Sequence, residues 1–295
     1  MGRRYETISF LSDFGTVDES VGLVKAVIRD IAAHVAVIDL SHEIPVFDVR
    51  AGSLALARSI AYVPSGLILA VVDPGAGTAR KCVAIEVGGG EGVFLGPDNG
   101  LLAPAVAMAG GAERAFALTN GEFHLSSPGA THAARDIFAP VAAAICNGTD
   151  LAELGDEVDA ALLMPGVIPL PRDGTNGALI CEVLWVDRFG NAQLNIGEDD
   201  LSEAWGDDWG SQLRVSFGEE HRSMKIVRAY DDIAPGGPGL IVDSFGMLTV
   251  AFDRDSASNR FGIAPTDQVT LARYDDDAAA PKRGTTTSVT LGPRH

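Results

Sequence analysis

The chain has 295 residues, of which 46% are hydrophobic and 34 are glycine, and its formal net charge is −18. That length suits two domains of roughly 150 residues each, and the apolar share supports a sizeable core. So acidic a chain makes a poor partner for a nucleic-acid backbone but tolerates a cationic small substrate.

The three cysteines, Cys82, Cys146 and Cys181, stand far apart without a CxxC pair. They read as buried, reduced thiols of a cytoplasmic protein. The opening residues hold no apolar signal region, and no apolar run reaches membrane-spanning length.

Residues 7–11 read as a short apolar strand, and residues 12–20 as a loop. A helix follows over 21–32, with apolar residues at 21, 24, 27, 28 and 31. Asp18 or Ser20 can cap that helix. Asp13 at the strand's end is left over, and a carboxylate there can take both hydroxyls of a ribose. Residues 35–40 read as a second buried strand, 41–48 as its exit loop and 49–60 as a helix. In that loop His42 has no His or Cys neighbour, so it reads as a hydrogen-bonding residue rather than a metal ligand. Phe47 is either core or one wall of an apolar slot.

The third strand opens the most informative stretch, LILAVVDPGAGTAR, residues 67–80. Six apolar residues are the length and composition of a strand buried on both faces. Pro74, Gly75 and Gly77 then break it into a tight loop. Asp73 thus stands where a buried parallel strand ends, which is where open α/β sheets place ligands. It either caps its own turn or pairs with Arg80 to position a small nucleophile.

Cys82–Val87 reads as a fourth strand, Gly88–Gly90 as a turn and 92–95 as a return strand. The glycine-rich run that ends it lacks both GxGxxG and GxxxxGKS/T, so it is not a phosphate loop. Residues 123–127 look like another strand. A helix is expected over 137–146, with Pro140 in its first turn. His132 lies just before it, a position more often structural than chemical. Beyond the prolines at 165, 169 and 171 the pattern changes to short β-like runs at 177–186, 192–196, 213–217, 223–227, 240–243, 248–252 and 268–272. These predict a small, barrel-like all-β domain. The expected fold is therefore α/β: a mainly parallel α/β sandwich domain over 1–164, a linker over 165–176 and a β-barrel domain over 177–274. Residues 275–295 read as a disordered tail. No metal-ligand spacing is found.

Seven segments, LSDFGTVDES, VIDLSHEIPVFDVRAG, VVDPGAGTAR, GPDNGLL, RDIFAPVAA, VDRFGNAQLNI and DSFGMLTVAF, resemble in order the S-adenosylmethionine hydrolase family. That family is also called S-adenosylmethionine hydroxide adenosyltransferase and is the sister group of fluorinase and chlorinase. The resemblance runs from about residue 8 to residue 272. It implies a trimer with an N-terminal α/β domain and a C-terminal β-barrel domain. The substrate would sit between one subunit's N-terminal domain and a neighbour's C-terminal domain.

By the resemblance, Asp13 takes the ribose diol, Phe47 lines the ribose, and Asp18 and Ser20 lie near the methionine end. Thr78 is a further substrate contact. Asp187 takes the methionine ammonium, Phe189 stacks on adenine and Asn191 hydrogen-bonds its edge. Ser244 matches a serine near the methionine carboxylate; the halogenases carry Arg one place on, where this chain has Phe245, so carboxylate binding must differ.

Fluorinase and chlorinase have Tyr where this chain has Asp73. A carboxylate repels a halide but can orient or deprotonate water, and Arg80 can hold the hydroxide so formed. The implied activity is hydrolysis to adenosine and methionine, with no cofactor or metal because the sulfonium is already activated. The hydrolases read Phe-His-Gly before Arg-Asp, and here the frame is His132-Ala133-Ala134. Either a one-residue shift brings His132 to the water, or Asp73 and Arg80 act without it. Ala134 narrows the pocket by a methyl. The rival readings are a halide-using synthase of 5′-halo-5′-deoxyadenosine, a non-catalytic nucleoside-binding protein and an unrelated metal hydrolase.

Overall fold

The structure, a computed structural model, describes residues 4–274, so the tail expected over 275–295 lies outside the described residues. Between Ile168 and Pro169 the chain divides into two compact units.

The first unit contains β1 (Thr7–Ser12), α1 (Ser20–Ile31), β2 (Ala36–Ser41), α2 (Val49–Ser59), β3 (Gly66–Val71), β4 (Cys82–Val87), β5 (Gly92–Pro97), α3 (Ala103–Met108), β6 (Arg114–Ala117) and α4 (Ala139–Cys146). Its sheet runs β2-β1-β3-β5-β4-β6. The first four strands are parallel, and β4 is antiparallel to both β5 and β6. β3 is central and every one of its residues is buried. Its unbroken apolar run follows, because helices cover both faces of a parallel sheet. Leu67, Leu69 and Val71 join Ile8 and Phe10 of β1, Val24 and Ile28 of α1 and Val141 and Ile145 of α4 in one core. Each large side chain so buried contributes roughly 1.5–3 kcal/mol.

Three local expectations change. β2 is not buried: it is the outer strand of the sheet and most of its residues are half or fully exposed. Its apolar residues mark an edge with one covered face. Residues 123–127 form no strand. A 3₁₀ turn at Gly121–Phe123 leads into extended chain, whose Leu125 N–H is spent on the Asp136 carbonyl at 2.8 Å. The helix expected over 137–146 is α4 preceded by a π turn, Ala134–Phe138. Pro140 is the cause: it has no N–H for the carbonyl of residue 136, and Leu125 fills that gap. The short elements α3 and β6 carry too little periodicity to be read from the sequence.

The second unit contains β7 (Arg172–Asp173), β8 (Leu179–Val186), β9 (Ala192–Gly197), α5 (Glu198–Trp205), β10 (Gln212–Phe217), β11 (Glu220–Val227), β12 (Pro238–Val242), β13 (Met247–Phe252), α6 (Ala257–Phe261) and β14 (Gln268–Arg273). Pairing runs β8-β14-β10-β11-β12-β13-β9 and returns to β8, so seven strands close a barrel, with β7 added at β8. Only β11 and β12 pair in parallel; the other barrel pairs are antiparallel. The inward alternation is plain in Leu213 and Val215, in Cys181 and Val183, and in Val269 and Leu271, all in one core. Closure removes the exposed edges that seven short strands would otherwise present.

Candidate active site

β1 and β3 are parallel neighbours, with Ser12 opposite Val71. Their next residues, Asp13 and the Val72–Asp73 pair, therefore leave the sheet side by side. Asn99 Nδ2 holds the end of β3 by donating to the Val72 carbonyl at 2.9 Å. Asp73 Oδ1 accepts from Gly75 N–H at 3.2 Å, and its Oδ2 accepts from Arg80 Nη2. Asp73 thus both caps its own turn and pairs with Arg80. The side chains of Asp73 and Arg80 are only 5% and 11% exposed. Arg80 Nη1 also donates to the Lys81 carbonyl at 2.7 Å and lies 3.7 Å from Cys82 Sγ. Thr78 Oγ donates to the Gly75 carbonyl at 2.7 Å and accepts from Arg80 N–H at 3.3 Å, closing the loop. Gly77 has φ +79°, and a Cβ there would press to 3.3 Å on the Ala130 carbonyl, so glycine lets this loop lie against residue 130.

Burial pushes the Asp73 carboxyl above its ordinary value; Arg80 pulls it back, and the negative charge of Asp13 adds to the rise. The result is a carboxylate more basic than a surface aspartate, still held by a guanidinium.

Asp13 Oδ2 accepts the N–H of Phe47 at 2.9 Å. Phe47 has φ 67°, a left-handed conformation that costs a non-glycine residue about 1–2 kcal/mol. The bond to Asp13 and the start of α2, capped by Asp48 Oδ1 on Ala51 N–H at 2.8 Å, hold it there. Its ring is 68% exposed, which rules out the core reading of this residue.

Asp18 Oδ1 accepts from Ser20 N–H at 2.9 Å at the start of α1. Hydrogen bonds from the Ser20 backbone and side chain hold the Asp18 carboxyl below its usual value. His132 opens the π turn, its carbonyl accepting from Arg135 and Asp136. Its ring meets Phe14 edge-on at 5.9 Å, and no hydrogen bond or ion pair joins it to Asp73 or Arg80 among the described residues. Its Nε2 is buried without a hydrogen-bond partner. Burial, then the charge of Arg135, lowers its pKa, which favours the neutral ring.

The second cluster belongs to the barrel. At the β8–β9 turn Asp187 Oδ1 accepts from Phe189 N–H and Asn191 N–H, each at 2.9 Å, and Oδ2 accepts from Asn191 Nδ2 at 2.8 Å. The carboxylate therefore builds the turn that presents Phe189, which is 75% exposed. Gly190 has φ +85°, and a Cβ there would run into Ser256. Asn191 Nδ2 also donates to the Tyr230 hydroxyl at 3.4 Å. Phe189, Asn191, Tyr230, Phe252 and Arg254 line a cleft of about 720 Å³.

Tyr230 and Asp243 went unread in the sequence. Burial raises the Tyr230 phenol, and the charges of Asp187 and Asp243 add to it, so it stays protonated. Asp243 repeats the role of Asp187: its Oδ1 accepts from Phe245 N–H at 2.8 Å and Met247 N–H at 3.1 Å. The signal was an internal repeat, Asp187-Arg188-Phe189-Gly190 against Asp243-Ser244-Phe245-Gly246. Ser244 is exposed at the tip of this second turn. Among the described residues no group of three or more His, Cys, Asp or Glu side chains is placed to hold a metal ion, and no helix is long and apolar enough to cross a membrane.

The buried Asp73–Arg80 pair at a strand end, with a carboxyl raised by burial, is the kind of perturbed paired group that marks a candidate active site, and the barrel carries its own aromatic-lined cleft. Comparison with known proteins narrows the class. Residues 8–155 match the SAM hydroxide adenosyltransferase N-terminal domain family, and residues 181–270 match the C-terminal domain of the same description. An (R)-S-adenosyl-L-methionine hydrolase of Salinispora arenicola is 38% identical over 89% of this chain and 96% of its own length. One of Thermus thermophilus is 36% identical over 87% of this chain and 95% of its own. A fluorinase of an Actinoplanes species is more distant, at 27% over 83% of this chain and 90% of its own. Among solved structures, an uncharacterized conserved protein of Thermotoga maritima superposes with a TM-score of 0.82 at 32% identity, covering 90% of this chain and all of that one. The chain belongs to the SAM hydroxide adenosyltransferase family.

Proposed function

We propose that this chain hydrolyses S-adenosyl-L-methionine to adenosine and L-methionine. The observation that carries the reading is the buried Asp73–Arg80 pair at the end of β3. Asp73 takes a proton from a water as that water's oxygen bonds to the ribose 5′ carbon. The bond from that carbon to sulfur breaks in line, and its electron pair leaves with methionine as a neutral thioether. Arg80 stabilises the charge developing on the attacking oxygen. The leaving group is already a sulfonium, so this displacement calls for no cofactor. A carboxylate in the nucleophile's place disfavours a halide by like-charge repulsion. Asp13 and Asp73 together favour a substrate that brings a positive charge.

In this reading Asp13 takes the ribose diol with Phe47 along the sugar, and Thr78 borders the reacting carbon. Asp18, Ser20 and Ser244 serve the methionine end. Phe189 stacks on adenine, Asn191 turns its Oδ1 to the base edge, and the free capacity of Asp187 meets the methionine ammonium. His132, neutral and with an unpartnered Nε2, is the further group able to accept or relay the water's proton. The N-terminal unit carries the ribose and water groups and the barrel carries the base groups. The assembly that goes with this reading, on the family resemblance, is a homotrimer with sites at subunit interfaces. The three free cysteines fit a reducing, cytoplasmic setting.

Incubation with S-adenosylmethionine, with and without excess chloride, tests the assignment. Adenosine and methionine are expected in equal amounts under both conditions. A chlorinated nucleoside as main product would make the chain a halogenase, and tight adenosine binding without methionine release over hours would make it a binding protein.

A further inference from the structure

The exit loops of β1 and β2 are tied to each other by contacts that centre on one buried histidine. His42 is 5% exposed and its ring packs edge-on against Phe10 at 4.7 Å. Its Nδ1 lies 2.8 Å from Ser12 Oγ, and Ser12 is fully buried. Ser12 Oγ also accepts from Phe14 N–H at 3.4 Å. The other ring nitrogen, Nε2, lies 3.1 Å from Asp39 Oδ1, outside hydrogen-bond geometry. Lys25 Nζ fixes Asp39 from the other side at 2.8 Å. Burial alone would raise the Asp39 carboxyl, but Lys25, which donates to it, and His42 beside it hold it below its usual value. The His42 carbonyl meanwhile accepts from Gly15 N–H at 2.7 Å. Next to it Thr16 Oγ donates to Glu43 at 3.0 Å, and Phe47 N–H to Asp13 at 2.9 Å.

Asp13 is therefore bracketed. Ser12 before it and Phe14 and Gly15 after it are all held, directly or through one hydroxyl, by His42. An apolar pair could fill the same volume, but a buried hydroxyl and imidazole that satisfy each other also fix a single orientation.

We propose that His42 is a positioning residue for the Asp13 site: through Ser12 and the Gly15 amide it sets the direction in which Asp13 presents its carboxylate to the substrate. The inference rests on the substrate role proposed for Asp13; its mechanical half, the anchoring of residues 12–15, does not.

The test compares His42→Ala, His42→Asn and Ser12→Ala by steady-state kinetics and by amide hydrogen exchange on the full chain. His42→Ala is expected to raise KM for S-adenosylmethionine about tenfold, the effect of one or two lost hydrogen bonds, with kcat changed less than about threefold. Exchange at Phe14 and Phe47 should quicken by a similar factor, while Gly15, bonded to the backbone carbonyl that the variant keeps, changes less and β4 and β6 stay unchanged. Asn places its amide where Nδ1 stood and can still bond Ser12 Oγ, so His42→Asn should recover most of both losses. If His42→Ala fails to fold, Ser12→Ala decides, with the same KM rise and faster exchange expected. Unchanged KM and exchange in Ser12→Ala, or His42→Asn as impaired as His42→Ala, would overturn the proposal. Should the wild-type chain not hydrolyse S-adenosylmethionine, the proposed function fails while the exchange data still decide the anchoring.

Discussion

Asp73→Asn is expected to lower kcat by about 10²–10⁴, the usual worth of a positioned general base, while KM for S-adenosylmethionine stays within about threefold. The amide matches the carboxylate in size, and its oxygen can still accept from Gly75, so the loop persists. Its nitrogen cannot take a proton from water. In the proposed reading Asp13, Phe47 and the barrel residues hold the substrate, so binding should survive. Steady-state kinetics separate the two quantities, and an equal loss in binding would mean that Asp73 is a substrate ligand instead. Because burial raises the Asp73 carboxyl, the acid limb of the wild-type rate profile should lie above the ordinary carboxylate range. Activity belongs to the ionised form and is lost as pH falls through that raised value.

Arg80→Met is expected to cost about 10²–10³ in kcat through lost stabilisation of the attacking oxygen. It also leaves Asp73 buried without its partner, which destabilises the fold by about 3 kcal/mol near neutral pH. The two effects have a common pH signature. Arg80 lowers the Asp73 carboxyl, so its loss raises that carboxyl further, and the acid limb of the residual rate moves to higher pH. The folded carboxyl then binds its proton more tightly than the unfolded one. The stability deficit is therefore full at high pH and shrinks as pH falls and Asp73 becomes neutral. Thermal melts and rate profiles on the same variant check both. An acid limb that stays in place would show that Asp73 is not the titrating base.

The centre of this account was legible because β3 is an unbroken apolar run that ends on Asp-Pro-Gly. Composition alone says where such a strand stops and what stands at its end. The barrel was legible for a related reason, since short alternating runs between glycines and aspartates leave few other architectures. What stayed hidden depends on long-range partners. β2 has the composition of an inner strand and lies at an edge because, among the described residues, no further strand pairs with it. Residues 123–127 have strand composition, but the carbonyl that Pro140 cannot satisfy claims the Leu125 amide. His42 showed no His or Cys neighbour in sequence; Asp39 stands three residues before it, but Ser12 becomes its neighbour only when β1 and β2 pair. Tyr230 sits far from Asn191 along the chain and meets it only through barrel closure. The second Asp-x-Phe-Gly turn could have been found by comparing the chain with itself. His132 is the instructive case among the site residues: the sequence frame offered two placements, and the ring lies against Phe14 rather than bonded to the Asp73–Arg80 pair.

The most direct measurement of the mechanism is hydrolysis of S-adenosylmethionine in water enriched in oxygen-18, followed by mass analysis of both products. Attack by solvent on the ribose 5′ carbon puts the heavy oxygen into adenosine and none into methionine. Adenosine released without the label would contradict the account.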